Sequence, residues 1–390
     1  MKRAAYLILG TALVATPFVL PSSLMAADAP AAKAAPKAAA VKATPAAAVV
    51  VKRNAYGQPV IGGMWTNATI TKETRPAGLG NRLVYTPDEV RREEGVVQTE
   101  IAVGNRNTDP NAPPPTKGGD ALPAGIRPEL AAGGGAVGGY DRGWLDTGSA
   151  VMRVHGEPRT SILTTPDGRY PARKAGAPAP SRGPVAVGRV STVPGAGGLD
   201  NPEQRSAGDR CILSFGRNAG PPMLANGYYN NNYNIVQGKD SVAITTEMVH
   251  DTRIVRLNST HRIDGVRPYF GDSIGHYEGN SLIVETTNIP QSQAYANSWE
   301  HLTVTEKFTP AAGGRLLYQY TIHDPTLWDT DWGGEYEFAP LQPGQHVEEY
   351  ACHEGNYALT DILAGARADD AAAAKSTASA APAAPARAAR

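Results

Sequence analysis

Cysteine is nearly absent from this 390-residue chain, which has only two, at positions 211 and 352. Net charge is absent altogether, because 37 Lys and Arg balance 37 Asp and Glu. A nucleic-acid binder carries a basic excess that displaces counterions from phosphates, so nucleic acid is excluded as a partner. Helix formers other than Ala are sparse outside the two ends. In their place stand 42 glycines and 32 prolines, about a fifth of the chain, against roughly 12% in average proteins. That composition reads as strands and loops, in a chain long enough for one sizeable core. A metal pattern is missing too. HEGNY at 353–357 has Tyr357 where a helical zinc motif needs its second histidine, and Cys352 beside His353 is poor zinc spacing. Neither a metal nor a cofactor is assigned.

What is present begins with the N-terminus. Lys2 and Arg3 precede AYLILGTALVATPFVL and then SSLMAADA: a charged start, an apolar stretch and small residues. Residues 1–26 are expected to be a signal peptide, the apolar run being too short, and broken by Pro17, for a good membrane span. The protein is therefore expected in the periplasm or secreted, with no integral span after cleavage. Export makes the two cysteines informative, since an oxidising compartment favours a Cys211–Cys352 disulfide over two unpaired buried thiols. Residues 27–52 and 368–390 are Ala/Pro-rich and read as a flexible linker and a disordered tail. Between them, 53–367 reads as a single β-rich domain with a loop-rich 104–200 segment.

From Asp209 onward short β-type runs alternate with turns. NIVQ, GKD and SVAITTEMVH form strand, loop and strand, and SIGHYE, GN and SLIVETTN a tight hairpin. HLTVTEKF and RLLYQYTIH pair around PAAGG, and EEYACHE reads as a further short strand. The expected fold is mainly β, an antiparallel meander closing as a barrel or sandwich, with a lipocalin-like barrel favoured. Long N-terminal loops precede it. One short C-terminal helix follows over 357–367, with Asn356 as its N-cap and Leu359, Ile362 and Leu363 as its apolar face. The two-residue loop at 279–280 pairs Glu278 with Ser281, His276 with Ile283 and Ile274 with Glu285. Tyr277, Leu282, Val284 and Thr286 then share one face, and His276, Glu278, Ile283 and Glu285 the other. That second face meets either solvent or a polar lumen.

Seven of the eight histidines lie in the strand-rich half. A closed meander brings alternate residues of each strand to its interior. His250 is in phase with Val242, Ile244 and Met248, which puts it on a buried face. The expected catalytic groups are His276 or His353 as proton carrier, and Glu285 or Glu354 as the orienting carboxylate. Arg253 would hold an anionic group. Tyr229, Asn231, Asn232 and Tyr233, from the run YYNNNYN at 228–234, would join His250 and Arg253 as ligand-binding residues. Their rings and amides suit a hydroxylated or aromatic-polar ligand. The competing reading is that the asparagines occupy left-handed turn positions and the tyrosines cover the core. In WDTDW at 328–332, Asp329 and Asp331 on an extended backbone would share one face, a weak sign of paired carboxylates.

Several motifs resemble a family of exported bacterial proteins. They are Trp65, Arg75-Pro76, TPDEV at 86–90, DRC at 209–211, PPM at 221–223 and NNNYNIVQ at 230–237. EMVHDTR at 247–253, GDSIGHYEGNSLIVETTN at 271–288 and YACHEGNY at 350–357 complete the likeness, from about 60 to 367. The chain departs from that pattern at Asp329 and Asp331, and the Gly-rich 104–143 stretch looks like a local expansion. The resemblance implies an exported β-rich domain and no particular reaction. Two functions are expected on these grounds. One is a hydrolase or lyase using a His/carboxylate pair; the other is a non-catalytic ligand-binding barrel. A small molecule is the expected partner in both.

Overall fold

A computed structural model describes residues 50–104, 146–177, 199–214, 216–225 and 229–380. The expected signal peptide, nearly all of the linker, residues 105–145 and the last ten residues lie outside them. Side-chain alternation builds the sheet. In β10 (Arg315–His323) Leu316, Tyr318, Tyr320 and Ile322 are buried and point one way, as a pleated strand requires. The same parity buries Val304, Glu306 and Phe308 of β9 (Thr303–Ala311), and Leu282, Val284 and Thr286 of β8 (Ser281–Thr287).

The other strands are β1 (Gly63–Thr66), β2 (Arg153–Val154), β3 (Glu157–Pro158), β4 (Asn232–Gln237) and β5 (Ser241–Thr246). β6 (Thr252–Leu257), β7 (Asp272–Glu278) and β11 (Trp332–Pro340) complete the set among the described residues. Nine of the eleven close into a barrel in the order β1, β11, β10, β9, β8, β7, β6, β5, β4, with β4 returning to β1. The small β2–β3 hairpin stands apart. Closure removes the free edges a sandwich would leave, and the expected mainly β barrel is what the chain forms. The hairpin at 279–280 has the expected register, with His276 opposite Ile283 and Ile274 opposite Glu285.

The meander is broken once. β6 and β7 run parallel, Val255 beside Ser273, and residues 258–271 cross over between them. Asp272 pins that crossover by accepting from Arg256 (2.8 Å), His261 Nδ1 (3.0 Å) and the Arg262 N–H (2.8 Å). Gly275 admits the close approach, since a Cβ there would lie 2.8 Å from Val255. EEYACHE forms no strand, because the chain leaves the sheet after Pro340.

Helix α1 (Pro87–Gly104) was not expected. Its start is a capping box: Glu89 N–H donates to Thr86 Oγ1 (3.3 Å) and Thr86 N–H to Glu89 Oε2 (2.8 Å), with Pro87 at the first position. Helix α2 (Tyr357–Ala380) begins as expected, Asn356 Oδ1 accepting from the Leu359 N–H at 3.3 Å. It runs past 367 to Ala380, where alanine-rich sequence carries strong helix propensity. Its buried turn ends at Ala366. Cys211 and Cys352 form the expected disulfide, with Cα atoms 5.7 Å apart.

Candidate functional site

The interior is filled. Tyr318 lies 5.0 Å from Phe308 and 5.3 Å from Phe338, ring centre to ring centre, and Tyr233 stacks on Phe338 at 5.5 Å. The segment 217–225 enters among these rings. Met223 is fully buried and donates its N–H to Tyr318 Oη at 2.8 Å, and the Ala225 N–H reaches Tyr336 Oη at 3.3 Å. Among the described residues no histidine is inside. Of the eight, seven are exposed and His261 is half-buried.

That corrects the placement of five expected site residues. His276 and Glu285 lie on the outer face of β7 and β8 and are exposed. Glu285 pairs with His261 Nε2 at 3.1 Å. His250 is exposed because β5 stops at Thr246 and the chain turns through Met248–His250. Val249 and His250 take left-handed φ values of 59° and 46°, so the parity counted from Ile244 no longer applies. His353 and Glu354 are exposed in the turn before α2. Among the remaining expected residues, Asn232 faces outward and donates to Glu247 Oε2 at 2.8 Å. Tyr229 stacks on Tyr350 at 6.3 Å. Asn230 takes a left-handed φ of 56°, and Asn231 is buried as a brace, donating to the Asp146 carbonyl and accepting from Asn218. The described part of the YYNNNYN run, 229–234, is thus a turn entering a strand. Asp329 and Asp331 diverge as well, to Lys174 (3.4 Å) and to His323 (2.7 Å) respectively.

Arg253 and Tyr233 are inside, as expected. Arg253 is already neutralised: both Nη atoms grip Glu306, a fully buried residue of β9. Burial would lower the guanidinium pKa, but the Glu306 charge and hydrogen bonds more than reverse this and raise it. Tyr318 Oη donates to Glu306 Oε1 at 2.8 Å, and its pKa is driven well above the usual phenol value, chiefly by burial and then by Glu306. Glu306 sat in inward phase between Val304 and Phe308, a charged residue on a buried parity, and that was the signal available in sequence.

A second cluster lies where β10 passes into β11. Glu73 Oε1 accepts from Tyr170 Oη (2.7 Å) and from Tyr295 Oη, and Tyr295 Oη lies 3.4 Å from Tyr320 Oη. Trp332 packs edge-on to Tyr170 (5.3 Å) and Trp328 (5.1 Å) and is tilted against Tyr295 (5.5 Å). The Arg217 guanidinium stands 4.9 Å over the Tyr295 ring, and desolvation there lowers its pKa. Burial, then Tyr320 and Glu73, push Tyr295 well up, so it stays a donor. The Nε1 atoms of Trp328 and Trp332 and the Nε of Arg217 are buried without a hydrogen-bond partner. Beside Trp332 opens a crevice of about 590 Å³ between residues 164–171 and 330–333.

Two local devices hold this cluster. A Cβ on Gly334 would lie 2.6 Å from Tyr320 Oη and 2.7 Å from the Ile162 carbonyl, so glycine alone lets that phenol reach its place. Arg75, buried, donates to Thr160, Ser161 and the carbonyls of Gly80 and Pro166, shaping the 160–168 wall of the crevice. Sequence reading missed Glu73, Tyr170, Tyr295 and Trp332 as a group because their grouping is purely tertiary.

A comparison of this chain with protein-family models, with curated proteins and with solved structures found no match. The functional reading therefore stands on this geometry.

Proposed function

We propose that the protein is exported and binds a small, ring-bearing polar molecule in the crevice beside Tyr170 and Trp332. The observation that carries the reading is the buried indole N–H of Trp332, left without an acceptor on a residue that lines that crevice. Buried donors are ordinarily paired, and an unpaired one costs about 1–3 kcal/mol, a cost that an incoming acceptor removes. The Trp332 indole in the crevice lining supplies contact area for a ring. Export is supported by the disulfide, which suits an oxidising compartment, and by the charged-then-apolar N-terminus.

Isothermal titration against a panel of monocyclic polar compounds tests the binding reading. Saturable binding that weakens at least tenfold in Trp332→Phe is the expected result, and no heat from any compound sinks it. N-terminal sequencing of the protein from fractionated cells tests export. A mature chain starting near residue 27 is expected, and an intact chain in the cytoplasm counts against it.

A second reading, a hydrolase or lyase, is favoured by one arrangement packed against Trp332: two phenols, Tyr170 and Tyr295, donating to Glu73. Such a set can pass a proton to a bound substrate, replacing the histidine first expected. Turnover abolished by Tyr295→Phe with binding retained would decide for it.

A further inference from the structure

The crevice beside Trp332 asks its occupant for both halves of a hydrogen bond. One demand is for an acceptor: Trp332 is 5% exposed, lines the crevice, and its Nε1–H has no partner. The other demand is for donors, because the carboxylates of Asp167 and Asp331 line the same crevice. Asp167 Oδ1 accepts the Arg169 N–H at 3.0 Å, and Asp331 Oδ1 accepts from His323 Nδ1 at 2.7 Å. The second oxygen of each has no partner among the described residues. The Asn81 amide adds a group that can donate and accept. Two carboxylates against the one guanidinium of Arg169 leave the lining acidic.

We propose that the occupant is a neutral sugar ring. A hydroxyl accepts and donates at once, so adjacent hydroxyls on one ring can take the indole N–H and serve a carboxylate. Hydrogen bonds to an ionised carboxylate are the stronger kind. A carboxylic acid would set its own charge against Asp167 and Asp331. An aromatic alcohol has one hydroxyl to divide between the indole and two carboxylates. The crevice, at about 590 Å³, has the size of a small-molecule site. This rests on the binding reading above and narrows it from any polar ring to an uncharged polyhydroxylated one.

The experiment is calorimetry at neutral pH on the disulfide-intact chain. The probes are glucose with glucuronate, galactose with galacturonate, and benzyl alcohol as the ring with a single hydroxyl. At least one sugar is expected to bind tenfold or more tightly than its own acid and than benzyl alcohol. Asp167→Asn and Asp331→Asn each keep the side-chain shape and remove one charge. Each is expected to weaken that sugar at least fivefold and to narrow its advantage over the acid. Near-ultraviolet circular dichroism reports the fold, and if one variant misfolds the other carries the comparison. An acid or benzyl alcohol binding as tightly as the sugars overturns the sugar and leaves the binding reading standing. Sugar binding unchanged in both variants overturns it too, since the hydroxyls then meet other groups. No binding by any probe overturns both.

Discussion

Asp251 shows what one buried carboxylate does to this fold. It sits at the foot of β6, buried, with Oδ2 accepting the Ser214 N–H at 2.8 Å. Burial outweighs that bond and lifts its pKa to about 6. An acid whose folded pKa is raised holds its proton more tightly folded than unfolded. Its stabilising contribution is therefore complete below about pH 4 and is lost as pH rises through about 6. The expected loss is on the order of 2–3 kcal/mol. Asp251→Asn keeps the acceptor and removes the titration, so urea melts should show a flatter stability profile between pH 4 and 6 and a more stable protein at pH 7. At this scale the sequence was read well where parity was unbroken. Arg253, Tyr233 and the outward set of β8 obey it. His250 did not, because two left-handed residues reset the phase and neither is glycine or asparagine.

The hairpins were legible as elements because two- and three-residue loops between alternating runs fix register by themselves. α1 was not read as a helix, because the surrounding glycine and proline masked the start signal of Thr86-Pro87 with Glu89 three residues after Thr86. The parallel β6–β7 pair was not legible either, since no local pattern marks the crossover at 258–271. Pairing partners across a crossover are chosen by packing, here by Gly275 against Val255. The Gly333-Gly334 step of β11 is the element on which the candidate site depends. Gly334→Ala is expected to push the Tyr320 ring out of reach of Tyr295 and destabilise the fold by about 1–3 kcal/mol, the usual cost of overpacking. Ligand binding should fall by more than global stability does, which paired titration and melting would show. If both fall in proportion, Tyr320 serves the core and not the site.

Across the whole molecule, the disulfide closes a span of 141 positions and joins the segment entering the barrel to the start of α2. Asn356 Nδ2 reinforces the joint at the Asp209 carbonyl, 2.8 Å away. The chain-entropy model assigns a loop of that length about 4–5 kcal/mol. Cys352→Ser should lower the free energy of unfolding by up to that amount, and the double variant with Cys211→Ser should be little worse than the single. A double variant markedly worse would mean that Cys211 contributes through packing. Barrel closure could be foreseen from the count of hairpins. The filling of the barrel by 217–225 could not, because GPPM and its neighbours carry no periodicity and are placed only by the rings they meet.

The seam of the barrel sets the order in which it can form. β1, close to the start of the domain, must find Pro340 and Ala339 on one side and β4 on the other. Those contacts are nearly as distant in sequence as the domain allows, and such pairings are slow because the intervening chain must first be organised. Translation cannot complete the ring until residue 340 has left the ribosome. β1 and β4 to β10 can assemble as a curved sheet beforehand, but the contact of β1 with β11 waits. The meeting of the two ends of the domain is thus the closing step of its folding.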